Sequence, residues 1–366
     1  MENVTPSQNN WLQKVWFSVR IPLLAIIIAL IVGAVVLLIS GANPLEAYAQ
    51  LFKGAFGSVK NFQRVLEKAT PLIFSGLAVA LGFKAGLFNI GAQGQLLLGA
   101  IVAGFVGFSI KGLPAFIHIP LALLAGTVAG ALFGAIPGLL RAFSGAHEVI
   151  TTIMLNYIAI NITDYFSDGP WKDTSPGNIV SRLPAIEASA KIPSIGPVPV
   201  GFIVAILIAL LIWFVINRTT FGFEITSVGL NPHASKYAGI RTKLLIVSAF
   251  IVSGALAGMG GAIETMGVVG RFQPGFNTGI GFDGITVALL ARNNPIAVIA
   301  SSLLLGALKG GANTMQFYAN VPNEIIDIIQ GTMLLLVTAE MVVRWIFRLR
   351  KHQSTEITVT AGWGQK

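Results

Sequence analysis

Long apolar runs divide this chain, each close to one bilayer crossing in length, with short polar segments between them. A crossing helix needs about 20 mostly apolar residues. Ten segments meet or approach that length, at roughly 20–40, 66–83, 88–110, 119–140, 148–166, 198–216, 242–263, 281–292, 295–313 and 324–347. The eighth is too short for a full crossing. A half-helix or re-entrant segment is expected there, and such a segment is tolerated only where protein covers it. Lys14 and Arg20 precede the first run, Ile21 to Ile39. It exceeds the roughly 7–15 residues of a signal-peptide core, so an uncleaved first helix is expected. The pattern predicts an all-α polytopic membrane protein of about ten transmembrane helices.

Three segments between the runs carry their own pattern. In 41–64, Leu45, Ala49, Phe52 and Phe56 recur at helical spacing, which predicts a helix lying in the membrane interface. Residues 167–197 contain Pro170, Pro176, Pro184, Pro193 and Pro197, as an external loop would. Residues 217–241 form the longest internal connection.

Composition supports the membrane reading. Of 366 residues, 54% are hydrophobic and 11% charged, against about 25% charged in a soluble domain. The net charge of +9 would invite nucleic acid in a soluble protein. Here the basic residues instead flank spans. Lys84, Arg141, Arg218, Lys236, Arg241, Lys243, Arg292 and the C-terminal "RWIFRLRK" all fall on one side if the N-terminus is cytoplasmic. Ten crossings return the C-terminus to that side. The expected division is a tail at 1–19, a membrane domain at 20–347 and a second cytoplasmic tail at 348–366. With no cysteine, the chain has no disulfide framework and no thiolate metal site.

Candidate chemistry is sparse. No phosphate-binding loop, HExxH or G-x-S-x-G motif occurs, so neither ATP hydrolysis nor metal chemistry is expected on this chain, nor any cofactor. The stretch "VSGALAGMGGAIETMGVVG" (252–270) has the small residues that let membrane helices pack closely. In "SVGLNPHASKYAGIRTK" (227–243), Asn231-Pro232 starts a short helix that Gly239 ends. That helix is either a docking element or part of a solvated loop. In the polar span 147–166, Thr152, Asn156 and Asn161 are spaced to share roughly one face, which would line a conduit or bond neighbouring helices. In "GLFNIGAQGQLLLGA" (86–100), Asn89 is placed to cap a helix, while Gln93 and Gln95 cannot share a face. Asp283 is read as a helix cap, and the clearly central positions of the spans lack acids.

Several of these stretches together resemble one family. "FKAGLFNIGAQGQLLLGA" (83–100) is similar to the signature of permease subunits of ATP-binding-cassette importers for sugars, branched-chain amino acids and nucleosides. "GAHEVITTIMLNYIA" (145–159), "GLNPHASKYAGI" (229–240), "GFDGITVALLARNNP" (281–295) and "NPLEAYAQLFKGAFGS" (43–58) resemble its nucleoside-type members, which usually carry Asn where His147 stands here. The resemblance spans about residues 20 to 347. It implies a translocation subunit for nucleosides delivered by an external binding lipoprotein. It also implies a second homologous permease and a separate cytoplasmic ATPase. The segment 229–240 would then hold the coupling helix, with Asn231, Pro232, Ala234, Tyr237, Ala238 and Gly239 in that role. Asn89, Gln93, Gln95, Thr152, Asn156 and Asn161 are the candidates for the pathway. Permeation of a sugar or other small polar solute, or ion-coupled secondary transport, are the alternatives.

Overall fold

A computed structural model describes residues 11–275 and 279–339, with side chains from residue 20 onward. Its helices are α1 (Trp11–Ile39), α2 (Pro44–Phe56), α3 (Val59–Lys84), α4 (Ala92–Ser109), α5 (Ala115–Leu139) and α6 (Glu148–Asp168). A two-residue hairpin, β1 (Ser194–Ile195) and β2 (Val198–Pro199), precedes α7 (Val200–Arg218). Then come α8 (Thr220–Leu230), α9 (Pro232–Tyr237), α10 (Thr242–Glu264), α11 (Ile280–Leu290), α12 (Pro295–Ala319) and α13 (Glu324–Thr338). Wider π-turns extend α5 through Ser144 and α10 through Val269.

Eight of the described helices are long and apolar enough to cross a membrane. The expected eighth span is α11, only 11 residues long, or about 16 Å, half a hydrocarbon layer. The tenth is α13, 15 residues in its described part. The rest of 324–347, the expected C-terminal tail and residues 1–10 of the expected N-terminal tail lie outside the described residues, whereas 11–19, expected as tail, form the first turns of α1. The chain is a multi-pass membrane protein.

Helix α3 forms the axis of the bundle, with 89% of its apolar window buried. Helices α7, α10, α11 and α12 surround it. Against this axis, α4, α5 and α10 form a second tight group. Gly258 lies between Gly99 and Gly130, and Gly261 lies against the Leu96 carbonyl, so backbone meets backbone and a Cβ at either position would overlap it. This seam is interlocked backbone to backbone.

Helix α2 forms as expected, and its other face buries Ala47, Leu51, Gly54 and Ala55 against α12. Leu45, Phe52 and Phe56, whose spacing predicted the helix, lie on its exposed side. The internal connection 217–241 is more than a loop with one short helix. Thr219 breaks the chain after α7 and its hydroxyl accepts a bond from Gly222 N–H, starting the separate helix α8.

Candidate translocation site and coupling helix

The stretch around Asn89 re-enters the bundle. Helix α3 ends at Lys84, and Gly86 takes the left-handed conformation, with φ of 70°, that a side chain would resist. The chain then doubles back, with Leu87 N–H bonded to the Gly82 carbonyl at 2.9 Å. Asn89 is 1% exposed and donates to Ser253 Oγ at 2.7 Å. Ser253 stands about 16 Å of helix beyond the start of α10 at Thr242. Helix α4 therefore begins deep inside the bundle.

An amide network surrounds that starting point. Asn89 Nδ2 donates to Gln95 Oε1 at 2.9 Å, and Gln95 Nε2 donates back to Asn89 Oδ1 at 3.3 Å. Asn89 Oδ1 also accepts from Gly91 N–H at 3.0 Å. The Ser253 hydroxyl in turn donates to the Ala78 carbonyl of α3 at 2.7 Å. From α6, Asn156 Oδ1 accepts Gly94 N–H at 2.8 Å, and its Nδ2 donates to the Ile90 carbonyl at 3.0 Å. Gln93 turns the other way, its Oε1 accepting Gly281 N–H in the first turn of α11 at 2.7 Å. The free N–H groups of two helix starts, α4 and α11, are thus met by side-chain oxygens in one buried cluster. Together Asn89, Gln93, Gln95, Asn156 and Ser253 hold two half-depth helix ends in register.

This geometry revises the roles read from sequence. Asn89 is not the N-cap of α4. Gly91 is, and Asn89 acts two residues earlier. Gln93 and Gln95 do point to different elements. Thr152 is buried beside Gly91, with its hydroxyl on the Glu148 carbonyl. Asn161 is exposed and donates to the Tyr157 carbonyl of its own helix. The buried face of α6 runs through Glu148, Thr152, Asn156, Ala159, Thr163 and Ser167. Asn161 is one helical step off that face, because four spacings of four and one of three track it better than a step of five.

Sequence reasoning missed an ion pair. Lys309 Nζ of α12 lies 2.8 Å from Asp283 Oδ2 of α11. Gly279 occupies the N-cap of α11, so Asp283 serves this pair and not the cap. The expectation of acid-free span centres does not hold here. A lone lysine inside the apolar run 295–313 was the available signal, because an intramembrane cation calls for a counter-charge. At the α5–α6 turn, Arg141 Nε stands 3.3 Å from the fully buried Glu148.

On the connection between α7 and α10, α9 is six residues long. Asn231 Oδ1 accepts Ala234 N–H at 3.0 Å, Pro232 occupies the first turn, Ala238 ends the helix and Gly239 has φ of 84°. Ser235 is buried, while Asn231, Pro232, Ala234, Ala238 and Gly239 are exposed and Tyr237 is 94% exposed. The end of α8 touches the start of the re-entrant stretch: Gly229 packs against Lys84, Ala85 and Gly86 with no room for a side chain on either glycine.

At the opposite end, the loop after α6 is fastened to the segment after α10. Leu183 and Ile186 N–H groups bond the Phe272 and Gly270 carbonyls at 2.9 and 3.0 Å. Asp173 accepts from the Ser175 hydroxyl and N–H and pairs with Arg182 Nε at 3.2 Å, with Arg271 Nη1 at 3.8 Å. The Ser175 bonds, then Arg182, hold the Asp173 carboxyl below the usual carboxylate range. Among the described residues, no cluster of three or more metal-ligating side chains occurs.

Residues 61–338 match the family model described as branched-chain amino acid transport system / permease component. The guanosine ABC transporter permease protein NupP of Bacillus subtilis is 42% identical over 344 residues, 90% of this chain and 96% of its own length. The nucleoside ABC transporter permease protein NupB of Lactococcus lactis is 36% identical, covering 89% of this chain and 92% of its own. The glucose ABC transporter permease protein TsgB13 of Haloferax volcanii is also 36% identical, over 90% of each. The same Lactococcus and Bacillus each have a second, more distant match of the same printed function, NupC at 29% and NupQ at 25% identity. No solved structure matches the chain.

Proposed function

Because this chain belongs to the branched-chain amino acid transport system permease family, we propose that it is the membrane-spanning subunit of an ATP-driven importer of nucleosides. The near full-length likeness to a guanosine permease carries the substrate class. Permease subunits move solutes and are not themselves enzymes. ATP is hydrolysed on a separate cassette subunit, and an external lipoprotein delivers the nucleoside. The second permease is a homologue, as the paired relatives in two bacteria support. The complex sits in a bacterial cytoplasmic membrane with both termini of this chain inside.

The cytoplasmic helix α9 is the coupling element. Tyr237 and its exposed neighbours seat in a groove of the ATPase. Closure of the ATPase moves α8 and α9 together as a rigid piece. Gly229 passes that displacement to the Lys84–Gly86 turn. From there it reaches Asn89 and the amide network on which α4 and α11 both start. A small shift at the cytoplasmic face is thereby delivered to two helix ends half-way through the bundle.

Uptake of radiolabelled guanosine by cells lacking this chain tests the substrate. Loss of guanosine uptake supports the reading. Intact nucleoside uptake with lost glucose uptake would overturn it in favour of a sugar permease, which the 36% likeness to TsgB13 would then explain. For the coupling helix, Tyr237→Asp and Gly239→Pro should each abolish transport and co-purification with the ATPase while the chain stays in the membrane. Normal co-purification would remove α9 from the mechanism.

A further inference from the structure

A polar track runs along the outside of the described bundle, and nothing in the amide network accounts for it. Lys309 lies about 21 Å of helix from Pro295 and about 15 Å from Ala319, too deep for its amine to reach either membrane surface. Its pair with Asp283 is only partly covered, with side-chain exposures of 24% and 17%. One and two turns further along the same face of α12 come Asn313 and Gln316, both exposed. Asn323, at the start of α13, donates to Gln316 Oε1 at 2.6 Å and lies 3.4 Å from Asn313 Oδ1. One turn into α13, exposed Asp327 lies within electrostatic reach of Asp283. These six side chains form one surface from the end of α12 to mid-bundle, in a chain only 11% charged.

Lipid is a poor cover for the deep part of that surface, because the Lys309–Asp283 pair and Asn313 lie within the span and call for protein or water. The α4–α11 network, by contrast, is closed and buried. We propose that the track on α11, α12 and α13 is this chain's wall of the outer half of the translocation route, with the second permease supplying the opposite wall. The proposal rests on the importer reading above and on its orientation, which puts the end of α12 outside. The chemistry selects the solute. Lys309 and Asp283 neutralise each other, Asn313, Gln316 and Asn323 offer amide donors and acceptors, and Asp327, with exposed Glu324 one turn before it, leaves this face net negative. Such a wall favours a neutral solute rich in hydroxyl and amide groups and rejects its phosphorylated forms.

The natural chain lacks cysteine, so single substitutions report cleanly. Asn313→Cys and Gln316→Cys would be made in cells that hold the whole transporter and treated from outside with a charged, membrane-impermeant thiol reagent. Leu207→Cys, on the exposed apolar side of α7, is the comparison. Cys at 313 and 316 should react at least roughly tenfold faster than Cys at 207, since a charged reagent is excluded from lipid. Guanosine should slow the reaction and guanosine monophosphate should not. Reaction no faster than at 207 would overturn the track. So would equal rates with and without guanosine in cells that import guanosine normally. Rapid reaction in cells whose unaltered transporter carries no nucleoside would keep the track and overturn the nucleoside reading instead. As a second variant, the pair Asp283→Asn with Lys309→Gln keeps shape and net charge. It should lower guanosine uptake several-fold with the chain still in the membrane. Unchanged uptake would count against a role for the ion pair.

Discussion

The two polar regions of this molecule use similar residue types to opposite ends. Around Asn89, amides and a serine are buried, and each has a partner in another element. Along Lys309, Asn313 and Gln316, similar groups stand at the surface and are only partly engaged. In a low-dielectric interior an unpaired polar group is costly, so a closed network is worth more to stability than to recognition. An open one can still form bonds, and in a membrane protein it must face protein or water. The difference separates scaffold from surface available for solute.

That distinction is breakable by mutation. The largest effect is expected for Asn89→Leu, which strands Gly91 N–H, the Gln95 amide and Ser253 together. At about 1–3 kcal/mol for each group left unsatisfied, the loss should be several kcal/mol, seen as a lower Tm of the purified complex and poor membrane yield. The paired change Asp283→Asn with Lys309→Gln should reverse the balance, reducing uptake while moving Tm little. If it lowered Tm as much as Asn89→Leu, the track would belong with the scaffold. Ser253→Ala removes the bridge between Asn89 and the Ala78 carbonyl and should cost about 1 kcal/mol, with uptake near normal.

The smallest effect concerns the loop after α6. Asp173 has a carboxyl held below its unfolded-state pKa, so its share of stability is present above the ordinary carboxylate range. That share is lost only as pH falls through the lower folded value. Proteolysis of the 170–197 segment in intact cells should therefore stay constant from neutral pH down to the carboxylate range and rise below it. Asp173→Asn should give the faster cleavage already at neutral pH. A flat profile for both would show that the backbone bonds to Gly270 and Phe272 hold the loop unaided.

Much of the site could be read along the chain. The short helix α9 was legible down to its ends, because Asn-Pro and Gly have local consequences that need no partner. The oddity of "NIGAQGQ" was legible too, as was the short eighth span. The partners were not. Asn89 meets Ser253 across 164 positions, and Gln93 meets Gly281 across 188. Asn161 was placed on the wrong face of α6 because its spacing is close to helical and only the neighbours decide which residues count as inside. Asp283 looked like a cap because its partner lies in the next helix.

By itself the sequence determined the membrane class and the approximate number and place of the spans, since about 20 apolar residues in a row dictate a crossing whatever surrounds them. It also marked the turns, through glycine, proline and asparagine. The tertiary structure alone decided which polar groups are closed upon each other and which are left open. Hydrophobic length is a property of one segment, whereas satisfying a hydrogen bond or a charge inside a bundle depends on where a second segment lies.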